Sequence, residues 1–375
     1  MSGKTIVISI NASWNIINFR SGLIRGLQEA GHRVVALAPT DAFSPRFEAL
    51  GVEHVPIEMD SKGVSPLRDL ALLAGYRRTL RRIRPDIFLG YTAKPNVYGS
   101  LAAHSLGAVV INNVSGLGTA FIREGLLTRI VSSLYRLAFK RSSAVFFQNR
   151  EDRELFVSRR LVRPGQARLL PGSGIDLARF QPSPGPEGRP ARPISFLMVA
   201  RLLRDKGVGE YVEAARRVRA ARPDIRFQLL GFLDVANRTA VTRKEVEAWV
   251  KEGVVDYLGA ADDVRPFIEA ADCIVLPSYR EGLPRTLLEG AAMAKPLIAS
   301  DVPGCRDVVR DGVDGYLCRV RDPDSLADAM LKMAGLSPEE RRRFGAAARA
   351  RVEAEFDERI VVRRYLEAIE EALRR

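Results

Sequence analysis

The chain has 375 residues, 46% of them hydrophobic, and a formal net charge of +13. That length accommodates two folded domains, and no apolar run approaches the ~18 residues that a membrane-crossing helix needs. The three cysteines, Cys273, Cys305 and Cys318, lack metal-ligand spacing and are odd in number, which argues against a disulfide framework and fits a reducing cytoplasm; the N-terminus runs straight into an apolar strand, so no secretory leader is expected.

Thr5–Ile10 reads as a strand, Asn15–Ala30 as a helix ended by Gly31, and Arg33–Ala38 and Val52–Pro56 as two more strands. Pro66–Arg82 reads as a helix, Asp86–Gly90 and Val109–Asn112 as strands, Gly125–Arg141 as a long amphipathic helix and Val145–Gln148 as a strand. Alternation of this kind predicts a parallel sheet with helices on both faces. In such a domain the turns at the carboxyl ends of the strands hold ligands. Three of them are polar or glycine-rich. The turn from Asn11 to Arg20 has no G-x-G-x-x-G and so is not a dinucleotide fingerprint; its Asn15, Asn18 and Arg20 suit an acceptor that carries hydroxyls and phosphate. Lys94 in Tyr91–Asn96, and Ser115 and Gly116 in Val114–Thr119, occupy analogous places.

Charge is unevenly placed. Residues 1–180 hold 25 Lys+Arg and 13 Asp+Glu, whereas the remainder holds 33 and 32. The excess in the first half suggests a polyanionic partner such as a phospholipid surface, a diphosphate or a nucleic acid. Arg129, Arg136 and Lys140 fall close to one face of Gly125–Arg141, with Leu126, Leu127, Ile130, Leu134 and Leu137 covering much of the rest, and a second basic run ends the helix before Arg84. Both helices could rest on an anionic leaflet or simply present solvated faces.

Residues 181–193 hold five prolines and cannot continue a helix or a central strand, so they read as a linker between domain 1–180 and domain 194–356. The pattern then restarts with strand Ile194–Ala200, helix Gly209–Ala220, strand Arg226–Gly231, helix Arg243–Glu252 and strand Val255–Leu258. The strand Cys273–Pro277 leads into a loop carrying Glu281, with Glu289 about two turns into the following helix, and Pro296–Ser300 and Gly315–Cys318 follow as strands. Helices are predicted over Ser325–Ala334, Pro338–Phe356 and Ile360–Leu373. Arg201 and Lys206 leave a strand end just before Gly207 opens a helix; two fixed cations beside a helix N-terminus suit a diphosphate whose charge grows as a nucleotide leaves. Asp322-Pro323-Asp324 spells D-x-D but sits directly before a helix and reads as its cap. The histidines His32, His54 and His104 are scattered, and no metal is implied.

Arg201 with Lys206-Gly207, Leu258-Gly259-Ala260, the E-x7-E run from Glu281 to Glu289, and Asp301-Val302-Pro303-Gly304 together resemble family 4 (group 1) glycosyltransferases of the GT-B fold. The loop Asn112–Gly118 and the helix segment Ser133–Lys140 look closest to the PglA-like branch, which extends polyprenyl-diphosphate-linked sugars at the cytoplasmic membrane face. The resemblance implies an α/β protein of two Rossmann-like domains whose parallel sheets face an interdomain cleft, with residues 357–375 crossing back to the first domain. It implies retaining, metal-independent transfer of a hexose or N-acetylhexosamine from a UDP-sugar, which is a substrate and not a cofactor. On that reading Arg201 and Lys206 stabilise the departing diphosphate and Glu281 with Gly282, Leu283 and Pro284 contacts the donor sugar. Glu289 binds the ribose, and Gly231, Tyr257 and Leu258 hold the nucleobase. Asn15, Asn18, Arg20, Lys94, Ser115 and Gly116 face the acceptor. Many relatives place a histidine where this chain has Ser115, so a side-chain base there is in doubt and the leaving phosphate is left as proton acceptor.

Two other classes compete. A nonhydrolysing sugar-nucleotide epimerase would share the fold without the glutamate pair. A basic nucleic-acid- or membrane-binding scaffold would explain the charge, but no nucleic-acid-binding motif is present and no nucleic acid is expected as a partner.

Overall fold

The computed structural model describes residues 3–60, 63, 65–116, 126–183, 193–233, 237 and 239–374. Its internal contacts divide into two compact units, one made of Met1–Gly174 with Glu358–Arg375 and the other of Ile175–Asp357. The division falls ahead of the proline-rich stretch 181–193, of which 184–192 lie outside the described residues.

The first unit carries strands β1 (Thr5–Ser9), β2 (Arg33–Ala38), β3 (Glu53–Pro56), β4 (Ile87–Tyr91), β5 (Val109–Val114), β6 (Ala144–Phe147) and β7 (Ala167–Leu169). They form one parallel sheet in the order β3-β2-β1-β4-β5-β6-β7. The strands are apolar along nearly their whole length because helices cover both faces. Ile6 and Ile8 of β1 pack with Leu23, Ile24 and Leu27 of the Ser21–Glu29 helix and with Tyr365 and Ile369 of the Glu358–Leu373 helix. Val7, pointing the other way, packs with Leu72, Tyr76 and Leu80 of the Pro66–Ile83 helix. The last helix of the chain is thus part of the first unit's core.

The second unit carries β8 (Ser195–Val199), β9 (Arg226–Leu230), β10 (Asp256–Tyr257), β11 (Cys273–Leu276), β12 (Leu297–Ser300) and β13 (Gly315–Cys318), all parallel, in the order β10-β9-β8-β11-β12-β13. Phe196 and Met198 pack with Tyr211, Val212 and Met330 on one face, and Leu197 and Val199 pack with Leu287, Leu288 and Ala291 on the other. In both units strand order reverses beside the first strand, between β1 and β4 and between β8 and β11. Loops leaving such a pair diverge to opposite faces and open a crevice at the carboxyl ends.

The amino ends of these paired strands are pinned alike. Asp86, just before β4, accepts from the backbone N–H of Thr5 at 2.8 Å, and Asp272, just before β11, accepts from the N–H of Ser195 at 2.8 Å.

Some elements differ from expectation. Asn15–Ala30 is two helices, Ser13–Phe19 and Ser21–Glu29, because Arg20 leaves helical geometry at φ −130° and ψ 1° and turns its side chain into the core. The described part of the predicted Gly125–Arg141 helix is Leu126–Phe139, with Gly125 outside the described residues. Ile130 and Leu137 are exposed beside Arg129, Arg136 and Lys140, while Tyr135, Ala138 and Phe139 face inward. The helix Arg150–Ser158, capped by Asn149, and the short strand β7 were not foreseen. Asp322 does cap the Pro323–Gly335 helix, accepting from the N–H of Ser325 at 2.9 Å.

Removing the carboxylate in Asp272→Ala is expected to destabilise the protein by about 1–3 kcal/mol, since the Ser195 N–H and hydroxyl lose their acceptor. A lower urea midpoint at unchanged slope would show it.

Candidate active site

The reversal between β8 and β11 brings together Lys206 and Glu281, two of the charged side chains singled out in the sequence, and the loop leaving β8 also carries Arg201. β8 ends at Val199 and delivers Arg201 and, one 3₁₀ turn later, Lys206; β11 ends at Leu276 and delivers Glu281. The Lys206 Nζ donates to Glu281 Oε1 at 2.5 Å, and the two side chains are 19% and 12% exposed. Arg201 is exposed, and its guanidinium has no hydrogen-bond or ion-pair partner among the described residues.

The two loops are fastened to each other by backbone contacts. Tyr279 N–H donates to the carbonyl of Asp205 at 2.9 Å, and the Ser278 hydroxyl donates to the same oxygen at 3.2 Å. Gly207 holds φ +77°, and a Cβ there would lie 2.0 Å from the carbonyl oxygen of Pro277. Gly304, at φ +82°, lets its loop lie against the carbonyls of Glu281 and Gly282, where a Cβ would come within 2.7 Å and 2.6 Å. Glu281 N–H donates to the Pro303 carbonyl at 3.3 Å. The Tyr279 hydroxyl donates to Glu210 at 2.6 Å, and burial together with that carboxylate pushes the phenol up to about 12. Cys305 lies buried in the same neighbourhood, and burial, then the Glu281 charge, pushes its thiol well up, so it stays neutral.

Gly282, Leu283 and Pro284 form the loop leading to the Arg285–Ala292 helix, and the Thr286 hydroxyl ties the start of that helix to the Val199 carbonyl at 2.9 Å. Glu289 is the fifth residue of this helix, little more than one turn in rather than two, because the helix starts only at Arg285. It is not joined to Lys206; Arg285 Nε donates to its Oε1 at 2.9 Å. Burial pushes the Glu289 carboxyl up, and the Arg285 charge is the main opposing influence. At the ends of β9 and β10, Tyr257 donates its hydroxyl to the carbonyl of Gly231 at 2.8 Å, Gly231 N–H donates to Gly259, and Leu258 N–H donates to Leu229. A Cβ at Gly231 would lie 1.8 Å from the Ala200 carbonyl, so only glycine lets these strand ends approach.

In the first unit the candidate acceptor residues gather at the ends of β1, β4 and β5, but several are engaged. Asn18 Nδ2 donates to the Trp14 carbonyl at 2.9 Å, and Asn15 Nδ2 donates to Asn11 at 3.3 Å. Lys94 is ion-paired with Asp69 at 2.7 Å, and Tyr98 donates to the other oxygen of Asp69 at 2.9 Å; burial and that carboxylate push the Tyr98 phenol up. Arg20 is 6% exposed, with its guanidinium 4.4 Å from the centroid of the buried Tyr91 ring. Ser115 is half-buried and Gly116 exposed just past β5, while Leu117, Gly118 and Thr119 lie outside the described residues. The sequence reading missed Asp69 and Arg285; the four-residue spacing of Arg285 and Glu289 on one helix was a usable signal.

Residues 193–335 match the family described as glycosyl transferases group 1, and residues 18–173 match the glycosyl transferase 4-like domain. The chain is 27% identical to the N,N'-diacetylbacillosaminyl-diphospho-undecaprenol alpha-1,3-N-acetylgalactosaminyltransferase of Campylobacter jejuni, over 97% of this chain and 98% of that one. It is 25% identical to the UDP-Gal:alpha-D-GlcNAc-diphosphoundecaprenol alpha-1,3-galactosyltransferase of Escherichia coli, over 72% of each. In fold it is similar to sucrose-phosphate synthase from Thermosynechococcus elongatus, with a TM-score of 0.80 at 18% identity and 99% of each chain covered.

Gly207→Ala is expected to cost about 1–2 kcal/mol in backbone strain alone, and more through the clash at Pro277. Thermal melts of the variant beside Gly209→Ala, where a Cβ meets nothing within 4 Å, would separate that clash from a general loss of glycine.

Proposed function

The chain belongs to the family 4 (group 1) glycosyltransferases of the GT-B fold, and from that premise we propose that it transfers a hexose or N-acetylhexosamine from a UDP-sugar to a saccharide carried on polyprenyl diphosphate, with retention at the anomeric carbon and without a metal ion. The observation that carries this reading is the meeting of Lys206 with Glu281 at the β8–β11 reversal, with Arg201 in the loop that leaves β8. Departure of UDP leaves charge on the β-phosphate, and fixed cations there stabilise the transition state more than the ground state. Lys206 is one such cation, held in place by Glu281; Arg201 is another, with no competing carboxylate among the described residues.

In the proposed step the bond from the anomeric carbon to the phosphate oxygen breaks, and the acceptor hydroxyl bonds to that carbon from the same face. Its proton passes to the leaving phosphate oxygen. Glu281 and the Gly282–Pro284 backbone accept and donate hydrogen bonds to the donor sugar, which fixes its face. The activities of the C. jejuni and E. coli relatives support a diphospho-polyprenol acceptor, and the E. coli relative supports a UDP donor.

Such an acceptor lies in a bilayer, and the first unit offers a surface suited to one. Arg129, Ile130, Ser133, Arg136 and Leu137 of the Leu126–Phe139 helix, with Lys140 just past its end, make one exposed stripe, Ile130 and Leu137 being 50% and 57% exposed. Apolar side chains among basic ones are the pattern of a helix lying in an anionic interface. No helix among the described residues is long and apolar enough to cross a membrane, so we propose peripheral attachment at the cytoplasmic face.

Release of UDP from a panel of UDP-sugars should require a polyprenyl-diphosphate-linked saccharide and should persist in EDTA. Lys206→Ala should lower kcat by about 10²–10³-fold. Turnover without acceptor would favour an epimerase, and loss of activity in EDTA would sink the metal-free reading. Separately, co-sedimentation with phosphatidylglycerol vesicles should exceed that with neutral vesicles and should fall in Ile130→Glu/Leu137→Glu; equal binding to both vesicle types would remove the proposed surface.

A further inference from the structure

Glu289 has two carboxylate oxygens and Arg285 occupies one of them. Arg285 Nε donates to Oε1 at 2.9 Å, and the side chains are only 20% and 12% exposed. No partner of Oε2 is found among the described residues. We infer that Arg285 is a positioning residue, fixing Oε1 of Glu289 so that Oε2 is presented to the hydroxyls of the nucleotide's ribose. The inference rests on the proposed ribose-binding role of Glu289.

Three considerations support it. A glutamate side chain has several soft torsions, and a second contact four residues earlier on the same helix removes most of that freedom before ligand arrives. The Arg285 guanidinium also lies over the Phe180 ring, 6.0 Å from its centroid. The charged groups around Glu289 also leave Arg285 with the main electrostatic work. They are Arg285 on its own helix, Arg179 from the segment beside Phe180, and Asp263 from the loop after β10. Asp263 opposes ionisation, but it is gripped by Arg265 at 2.6 Å, which holds it down at about 2 and balances its charge. Burial, and to a lesser extent the Asp263 charge, push Glu289 up, and an uncharged carboxyl is a weaker acceptor for hydroxyl donors.

The sign of the pH effect follows. Arg285 lowers the Glu289 pKa against burial, so its removal raises that pKa further, and the carboxylate form is lost at a higher pH than in the parent. The acid limb of donor kcat/KM should therefore move to higher pH. The experiment compares Arg285→Met, Arg285→Lys, Glu289→Gln and the Met/Gln double variant. UDP affinity is read by calorimetry, and donor kcat and KM are read across pH. Arg285→Met should weaken UDP binding about tenfold, raise donor KM more than it lowers kcat, and shift the acid limb upward, with Arg285→Lys recovering part of each. In the Glu289→Gln background Arg285→Met should add no further loss. If Glu289→Gln weakens UDP binding while Arg285→Met leaves affinity and acid limb unmoved, the positioning role is wrong and the ribose reading survives. If Glu289→Gln itself leaves UDP binding unchanged, both fail. A fall in kcat and melting temperature in Arg285→Met with an unmoved acid limb would mark Arg285 as structural and overturn the inference.

Discussion

The reversal of strand order between β8 and β11 is the constraint on which the rest of the candidate site depends. Two parallel neighbours whose following loops must diverge leave a gap at their carboxyl ends that no side chain of the sheet fills. Lys206 and Glu281 are 75 positions apart in sequence and meet in that gap at 2.5 Å. An ion pair so little exposed contributes little to stability once desolvation is counted. Its supports are correspondingly rigid: Asp205 accepts from both Ser278 and Tyr279, Gly207 lies on Pro277, and Gly304 lies on the Glu281 carbonyl. Each is a backbone contact that a Cβ or a torsion change would disturb. Positional accuracy at charged groups is worth more to a reacting phosphate than the pair's own binding energy.

Partially buried charges elsewhere are handled differently in the two units. Around the β8–β11 reversal, cations meet carboxylates that are themselves candidate ligand contacts, as in Lys206–Glu281 and Arg285–Glu289. At the corresponding place in the first unit, Lys94 is neutralised by Asp69 within a three-membered cluster that includes Tyr98, and Arg20 faces an aromatic ring instead of a carboxylate. The first arrangement places paired charges at a candidate ligand site. The second locks side chains that shape the loops, and it assigns Lys94 and Arg20 to the framework of their turn as much as to any ligand contact.

Much of this was legible in the sequence. Strands such as Arg33–Ala38 and Gly315–Cys318 are recovered residue for residue, because a strand covered on both faces reads as an uninterrupted apolar run. The loops bearing Arg201, Lys206 and Glu281 were legible because each follows such a run directly. The break at Arg20 was not, since nothing local forbids a helix through it; the reason is tertiary, a guanidinium drawn over Tyr91, 71 positions away. The short strand β7, three residues long, has too little pattern to register. Which of the apolar residues between Leu126 and Leu137 would be exposed was not legible, since periodicity alone does not say which side of an amphipathic helix meets the sheet; the structure exposes Ile130 and Leu137.

Charge is where the structure changes the argument most. Read as halves of the sequence, the excess is concentrated before residue 180; read as folded units, it is complete. The first unit, with its returning helix, has 29 Lys+Arg against 16 Asp+Glu, and the second has 29 of each. An arginine-rich genome would raise basic residues in both units alike, and the basic counts are indeed equal. What differs is the acidic count. A surface made positive by having fewer carboxylates presents fewer repelling charges to an anionic partner, with a field that reaches about a Debye length, ~8 Å at physiological salt. The neutral unit, by contrast, balances its positive charge with an equal number of carboxylates, and Lys206 and Arg201 lie at the ends of its strand reversal. A bilayer-borne diphosphate acceptor calls for the first kind of electrostatics and a soluble nucleotide donor for the second, so the division of acidic residues between the units follows the division of substrates in the proposed reaction.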